Sequence, residues 1–378
     1  MIYIFILFLF LICTLKYDVR HNKKSNICVN TLLVILVLLA ALRYRVGTDT
    51  IIYNDEYNKY GLSYIKDRYL IGWYIFIKFF KTLGCSFYVV QFVIAAIVNY
   101  SVFKFLKKEQ NRLLFSALTI YYVLIYPGWN FEILRQSLCI SIFLLSYRLL
   151  EEKKYVKYYI NSIIACTIHE TAFLLLFLPL LKTIKITKTN LYIIEALSIL
   201  SIFLAPFIRQ FILDYTMVLE FADEKAMLYL GNVDVVVSAS SIISYCFNIL
   251  LNAIFPYWVI HKNLKTNRRN NLFNVFALMS ILIYVLSIYI PLLYRINYYF
   301  ILFTYLLYID GIEYITRCLC KKFKYGVYFL LFISLLAVKA RLYFTRNEFG
   351  TPAYVHYYPY TNIFDERIIC DREELNFK

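Results

Sequence analysis

The chain lacks the motifs of nucleotide-driven and hydrolytic chemistry. There is no glycine-rich phosphate loop and no Gly-x-Ser-x-Gly nucleophile turn. Neither a nucleotide-driven transporter nor a serine hydrolase is supported. His169-Glu170-Thr171-Ala172-Phe173 carries phenylalanine where the His-Glu-x-x-His zinc motif needs its second ligand. Cys318-Leu319-Cys320 has no second pair to complete a zinc site. The nine cysteines make no disulfide framework, and most (Cys13, Cys139, Cys166, Cys246) lie in apolar runs. The residues call for no metal and no cofactor. There is no repeat of fixed period and no separate soluble domain. Acidic residues are the scarce charge, 24 against 40 Lys+Arg, for a net charge of +16. In a soluble protein that excess would suggest nucleic acid. Here basic cytoplasmic loops explain it better, and no nucleic-acid partner is expected.

What the chain has in quantity is apolar sequence. It is 61% hydrophobic with a mean hydropathy of +0.63, where a soluble domain is nearer about half. Runs long enough to cross a bilayer recur along its length. The expectation is an all-α polytopic integral membrane protein, one membrane domain over 1–378, with about ten transmembrane helices and two re-entrant or interfacial half-helical segments. Met1–Leu15 has no basic n-region and no small-residue cleavage site, so it reads as a retained first helix.

Loop charges set the sides. Lys16, Arg20, Lys23 and Lys24 mark the first cytoplasmic loop, which puts the amino terminus outside. Segment 43–69 mixes both signs and is expected to be an outer loop. So is the acidic segment 208–240, and so is a carboxy-terminal tail over 339–378. Leu70–Leu83 is too short and too charged for a comfortable span, since it carries Lys78, and reads as an interfacial or re-entrant helix. Tyr158–Leu181 has basic residues on both sides. Either the charge rule fails there, or the segment is two half-helices that turn near His169 and go back, which is the preferred reading.

Arg135 sits at the start of an apolar run, just after a Pro127-Gly128 break. A charge at the centre of a membrane helix costs roughly 2.5–3.5 kcal/mol, less near an end. The topology puts Arg45, Asp49, Arg135 and Arg295 all near the outer face, with His169 nearer mid-membrane. The plain alternative for an arginine at a helix end is snorkelling to headgroups. The chemical reading is recognition of a lipid-linked phosphate or diphosphate, because a guanidinium matches phosphate oxygens in a fork and stays charged.

Several short motifs resemble the EpsG family. They are Arg45-Val46-Gly47-Thr48-Asp49 with Tyr53 and Tyr57 after it, and Asn130-Phe131 followed by Arg135-Gln136. Further along come basic residues near Lys153, His169 before Leu178-Pro179, Tyr294-Arg295 before Tyr299-Phe300, and Tyr358-Pro359-Tyr360. The resemblance implies a Wzy-type polymerase of exopolysaccharide, capsule or O-antigen repeat units. Such a glycosyltransferase works at the outer face of the bacterial cytoplasmic membrane on oligosaccharide linked to undecaprenyl diphosphate. Membrane lipids and a chain-length regulator are its further candidate partners. On this reading Arg135, Arg295, His169 and Asp49 are the catalytic candidates, and Arg45, Asn130, Gln136, Tyr53 and Tyr299 the substrate-binding ones. One departure is that the Glu-Pro pair expected near Ile71-Gly72 is absent. Two other classes are weighed against this reading. A lipid-linked oligosaccharide flippase would line a path through both leaflets with basic residues. A membrane O-acetyltransferase would take an acyl donor from the cytoplasm. The outer-face placement predicts that single cysteines at positions 45, 135 and 295 react with an impermeant thiol reagent added from outside. Protection of all three would overturn it.

Overall fold

The computed structural model describes residues 2–372 apart from 21, 219–245, 289, 291, 346–351, 366 and 371. Among the described residues the chain is helical and has no strand. Two isolated backbone bridges join Arg43 to Asn362 and Asn362 to Asp365. In chain order the helices are α1 (Ile2–Cys13), α2 (Asn26–Ala41), α3 (Thr48–Lys59), α4 (Leu62–Arg68), α5 (Ile71–Thr82), α6 (Phe87–Glu109), α7 (Leu114–Leu124), α8 (Leu134–Glu151) and α9 (Tyr155–Cys166). They continue as α10 (Leu178–Leu181), α11 (Lys188–Val218), α12 (Phe255–Thr266), α13 (Asn271–Ser287), α14 (Leu293–Asn297), α15 (Ile301–Thr316) and α16 (Lys321–Ala340).

Three helical stretches are long and apolar enough to cross a bilayer, Ile2–Val19, Phe87–Glu109 and Phe323–Ala340. Four shorter apolar ones are Asn26–Ala41, Leu114–Leu124, Glu170–Leu181 and Asn271–Ser287. Helix lengths among the described residues thus support fewer full spans than the ten expected. Other boundaries move too. Segment 43–69 is mostly helical, because it holds α3 and α4. Helix α11 runs on to Val218, past the expected start of the 208–240 loop. The rest of that loop, the turn at Pro291 and part of the tail lie outside the described residues.

The two half-helical expectations have structural counterparts. Helix α5 has 12 residues, about 18 Å of helix, against a hydrocarbon core of about 30 Å. Trp73, Ile77 and Phe80 are buried on one face, while Ile71, Ile75 and Phe79 are exposed. In the second segment α9 ends at Cys166, and a tight 3-10 stretch, Glu170–Phe177, follows. The Tyr158 hydroxyl donates to the Leu175 carbonyl at 2.8 Å, so the second half lies back along the first.

The chain forms two compact units, 1–176 with 316–378, and 177–315. In the first, loop contacts sort into two groups. Lys107 donates to Asn26, Lys108 pairs with Glu151, and Asp18 accepts from the Ser116 backbone N–H at 2.6 Å. Loops 16–25, 104–113 and 151–154 therefore share one end. At the other, Gln91 donates to the Ala41 and Arg43 carbonyls (2.7 and 3.0 Å), and Tyr57 donates to the Cys85 carbonyl. The tail joins this second group, since the Tyr44 N–H donates to the Thr361 carbonyl and the Gly47 N–H to the His356 carbonyl. Segments 39–47 and 352–372, which the charge rule assigns to one side, are in contact.

Asp18 was expected in a loop but is buried, where it satisfies an N–H at the start of α7. In the second unit Asp310 and Glu313 are buried on α15. Arg268 pairs with both at 2.6 Å and Arg269 with Asp310 at 2.8 Å. Burial of two carboxylates is tolerable because two guanidiniums neutralise them.

Gly47 is a position where no side chain fits. Its φ is +89°, and a Cβ there would stand 2.4 Å from the Phe131 carbonyl oxygen. Gly47→Ala should therefore destabilise the fold by at least about 1–3 kcal/mol from backbone strain alone. A lowered thermal midpoint of the purified full-length protein in detergent checks this; an unchanged midpoint would contradict it.

Candidate functional site

The site is built on a break in the helical backbone. Helix α7 ends at Leu124, a wide π-type turn spans Gly128–Glu132, and α8 begins at Leu134. A broken helix frees backbone groups that need new partners. The Asn130 amide donates to the Tyr126 carbonyl (3.0 Å) and the Tyr121 hydroxyl (3.1 Å), and accepts from Asn99 (2.8 Å). Tyr121 donates in turn to Asn99 at 2.9 Å. Asn130 is buried with its amide committed to protein groups. These bonds shape the turn. Gln136 is likewise buried.

From this turn three neighbours reach out. Phe131 packs under the Arg43 guanidinium, 5.1 Å from its ring centre, and its carbonyl accepts from the Thr50 hydroxyl. Glu132 accepts from the Asp49 N–H at 3.3 Å, placing a carboxylate at the positive start of α3. Arg135, in the first turn of α8, donates through Nε to the Tyr53 hydroxyl at 2.9 Å. Its guanidinium lies 4.4 Å from the ring centre of Tyr69 and 5.9 Å from that of Tyr53. Such cation–π contacts are worth about 0.5–2 kcal/mol each, more when dry.

Asp49, Tyr53 and Glu56 follow one another at helical spacing on α3, so they share a face. Glu56 is buried and accepts from the Tyr69 hydroxyl at 2.5 Å while pairing with Arg68 at 3.1 Å. Tyr69 is thereby fixed against Arg135. Trp73 backs Tyr53 with ring centres 5.6 Å apart. The crevice among Tyr53, Tyr57, Tyr69, Trp73 and Phe87 is about 10 Å³, room for one water at most. This side of Arg135 is a closed wall.

Arg45 takes a left-handed conformation, φ +49°. Its Nη1 pairs with Asp55 at 2.7 Å, while its carbonyl accepts from the buried Arg372 at 2.8 Å. Asp55, on α3, thus supplies a countercharge to Arg45. Partial burial pushes the Asp55 carboxyl up, but hydrogen bonds from Arg45 and Lys59 outweigh it and hold it below the usual aspartate range.

His169 is buried at the turn between the half-segments. Its Nδ1 accepts from the Thr171 backbone N–H at 3.2 Å and lies 2.9 Å from the Thr171 hydroxyl. An accepting Nδ1 places the proton of the neutral ring on Nε2, so His169 is set up to donate a hydrogen bond rather than to take a proton there. The same turn touches α5. The Gly72 N–H donates to the Thr167 carbonyl at 2.7 Å, and a Cβ at Gly72 would meet the Thr167 hydroxyl at 2.2 Å. At Gly72, next to which the Glu-Pro pair was expected, no side chain has room. Glu170, next to His169, lies within electrostatic reach of Arg135.

The first unit therefore gathers Asp49, Tyr53, Arg135 and the His169 turn around one wall. Arg295 and Tyr299 belong to the second unit, Arg295 exposed on α14 and Tyr299 buried. A model of the EpsG family matches residues 26–362, which takes in every one of these positions. The chain belongs to the EpsG family. Family membership and the apolar helices together mark a membrane protein of polysaccharide biosynthesis. No curated protein and no solved structure matched the chain. Among the EpsG-type motifs, the arginines and tyrosines carried a signal in the sequence. Tyr69, Glu56, Glu132 and Arg372 carried none.

The depressed Asp55 carboxyl fixes the sign of a pH effect. Its pairing stabilises the fold fully above the ordinary aspartate value and is lost as pH falls through the lower folded value. The pair is part-exposed, so solvent screens the contribution. Asp55→Asn should flatten the acid limb of a stability-versus-pH curve while changing neutral-pH stability little. An unaltered acid limb in thermal melts would count against the pair.

Proposed function

We propose that this EpsG-family chain polymerises lipid-linked oligosaccharide repeat units, with Arg135 gripping the donor diphosphate. One observation carries the reading. Arg45 pairs with Asp55, Arg68 with Glu56, and Arg268 and Arg269 with Asp310. Arg135 is half-buried among aromatic rings, and among the described residues no carboxylate makes an ion pair with it. Its Nε is spent on Tyr53, so its terminal amino groups are the ones presented to an anion. A fixed cation in low-dielectric surroundings suits a diphosphate, which it binds in the ground state and stabilises as it departs.

In the reaction an acceptor sugar hydroxyl attacks the anomeric carbon of the donor glycan. The bond from that carbon to the diphosphate oxygen breaks, and its electron pair leaves with the lipid diphosphate, held by Arg135. The hydroxyl proton passes to a carboxylate. Asp49, on the Tyr53 face of α3, is the candidate base. The Nε2–H of His169 serves as a donor to a sugar or phosphate oxygen. Arg45, neutralised by Asp55, positions α3. The site works from the outer face of the bacterial cytoplasmic membrane, where lipid-linked repeat units are exposed.

Loss of the gene should leave single repeat units on the carrier. Arg135→Ala should lower polymerisation about 100-fold or more, the usual loss when one oxyanion-stabilising donor goes. Arg135→Lys should recover part of it, because charge survives and the fork does not. Glycan ladders on gels, with expression matched by immunoblot, read the outcome. A normal ladder from Arg135→Ala would refute the assignment.

A further inference from the structure

The Arg135 wall accounts for a head group and leaves a larger feature of the first unit unexplained. A cavity of about 560 Å³ lies among the start of α1, the end of α7, the end of α16 and the tail, with Tyr3, Leu7, Tyr122, Pro127, Tyr343 and Tyr357 in its lining. It falls in the size range of small-molecule sites. Its tyrosines do not make it polar. Tyr3 donates to the Tyr357 carbonyl at 3.0 Å, Tyr122 to the Tyr3 carbonyl at 2.8 Å, and Tyr343 to the Val123 carbonyl at 2.7 Å. With those hydroxyls engaged by backbone, the rings are what face the space.

Two observations say what belongs there. The cavity sits at the ends of two helices long and apolar enough to cross a bilayer, Ile2–Val19 and Phe323–Ala340. Ile4 and Phe344, both in the lining, are 70% and 69% exposed, so its mouth is apolar. Its lining also reaches the segment that leads to Arg135. Tyr122, Val123 and Pro127 line it, and the turn after Pro127 carries Phe131, which packs on Tyr357 with ring centres 5.9 Å apart. That same turn leads into α8 and Arg135. One chamber suits one hydrocarbon chain, and a chain entering along Pro127 would run toward the segment that bears the arginine. That suits a single-chain lipid diphosphate better than a two-chain phospholipid.

We propose that this tyrosine-lined cavity binds the polyisoprenyl chain of the lipid-linked substrate, with the diphosphate at Arg135. The inference rests on the function proposed above. The tail closes one side of the chamber through Tyr354, Tyr357 and Tyr358, so the same strap that holds segment 42–47 also holds the lipid.

The test uses the full chain in nanodiscs and a farnesyl diphosphate analogue with a diazirine at the far end of its chain. Photolabel should map to peptides containing 3–7, 122–127 and 343–358. Undecaprenyl diphosphate should displace it and phosphatidylglycerol should not. Leu7→Trp, which fills the chamber, should lower the label several-fold; the wild-type map stands even if that variant folds poorly. Label displaced by undecaprenyl diphosphate but mapping to other helices would overturn the chain site while leaving the diphosphate reading intact. Absence of any displaceable label would overturn both. Equal displacement by phosphatidylglycerol would overturn the choice of occupant, and with it the proposal.

Discussion

A helix cannot simply stop in apolar surroundings, because its freed carbonyls and N–H groups have no water to turn to. The break between α7 and α8 meets that constraint with the Asn99–Tyr121–Asn130 network, which takes up the Tyr126 carbonyl and closes on itself. Most of the site is a consequence. The turn so fixed sets Phe131 beneath Arg43, Glu132 at the start of α3 and Arg135 against Tyr53. Gly47 is required because the Phe131 backbone comes so close to it. Gly128, by contrast, has nothing within 4 Å of where a Cβ would stand. The turn's shape therefore owes more to the asparagines than to that glycine.

Charge pairing then separates scaffold from chemistry. Among the described buried or half-buried arginines, Arg45 is neutralised by Asp55 and Arg268 and Arg269 by Asp310, while Arg43 and Arg372 bond hydroxyl and carbonyl oxygens. These tie loops and tail to the helices. Arg135 is held by a phenol and by ring faces, which leaves its terminal amino groups for an anion. Aromatic support fixes a cation's position without cancelling its charge. That is the property an anion-binding group needs.

The tail completes the arrangement. Residues 352–372 are spent on segment 39–47, through Tyr360 on the Leu39 carbonyl, Thr361 on Tyr44 and Arg372 on Arg45. Segment 42–47 has no regular structure of its own and includes two residues with positive φ. Without the tail's hydrogen bonds its backbone groups would need other partners. The end of the chain is thus part of the candidate site's support, although it is remote in sequence.

The sequence by itself determined the class of protein, the membrane-bound helices, the half-helical segments at 70–83 and 158–181, and Arg135 as the charge to explain. Those are properties of local composition, periodicity and the cost of a charge among apolar neighbours, and they need no knowledge of what folds against what. Only the tertiary structure decided which residues share a wall. Asn130 stood as a binding candidate through the family resemblance, and only the fold shows its amide bonded to Asn99, Tyr121 and Tyr126. Nothing in the sequence picked out Asp55 as a partner of Arg45, and helix geometry brings the two together. Tyr69 and Glu56 gave no signal, since a tyrosine among 38 and a glutamate in a polar loop are unremarked until packing puts Tyr69 against Arg135 and Glu56 on the Tyr69 hydroxyl. Pairing depends on distances in space, and those are set by the whole chain at once.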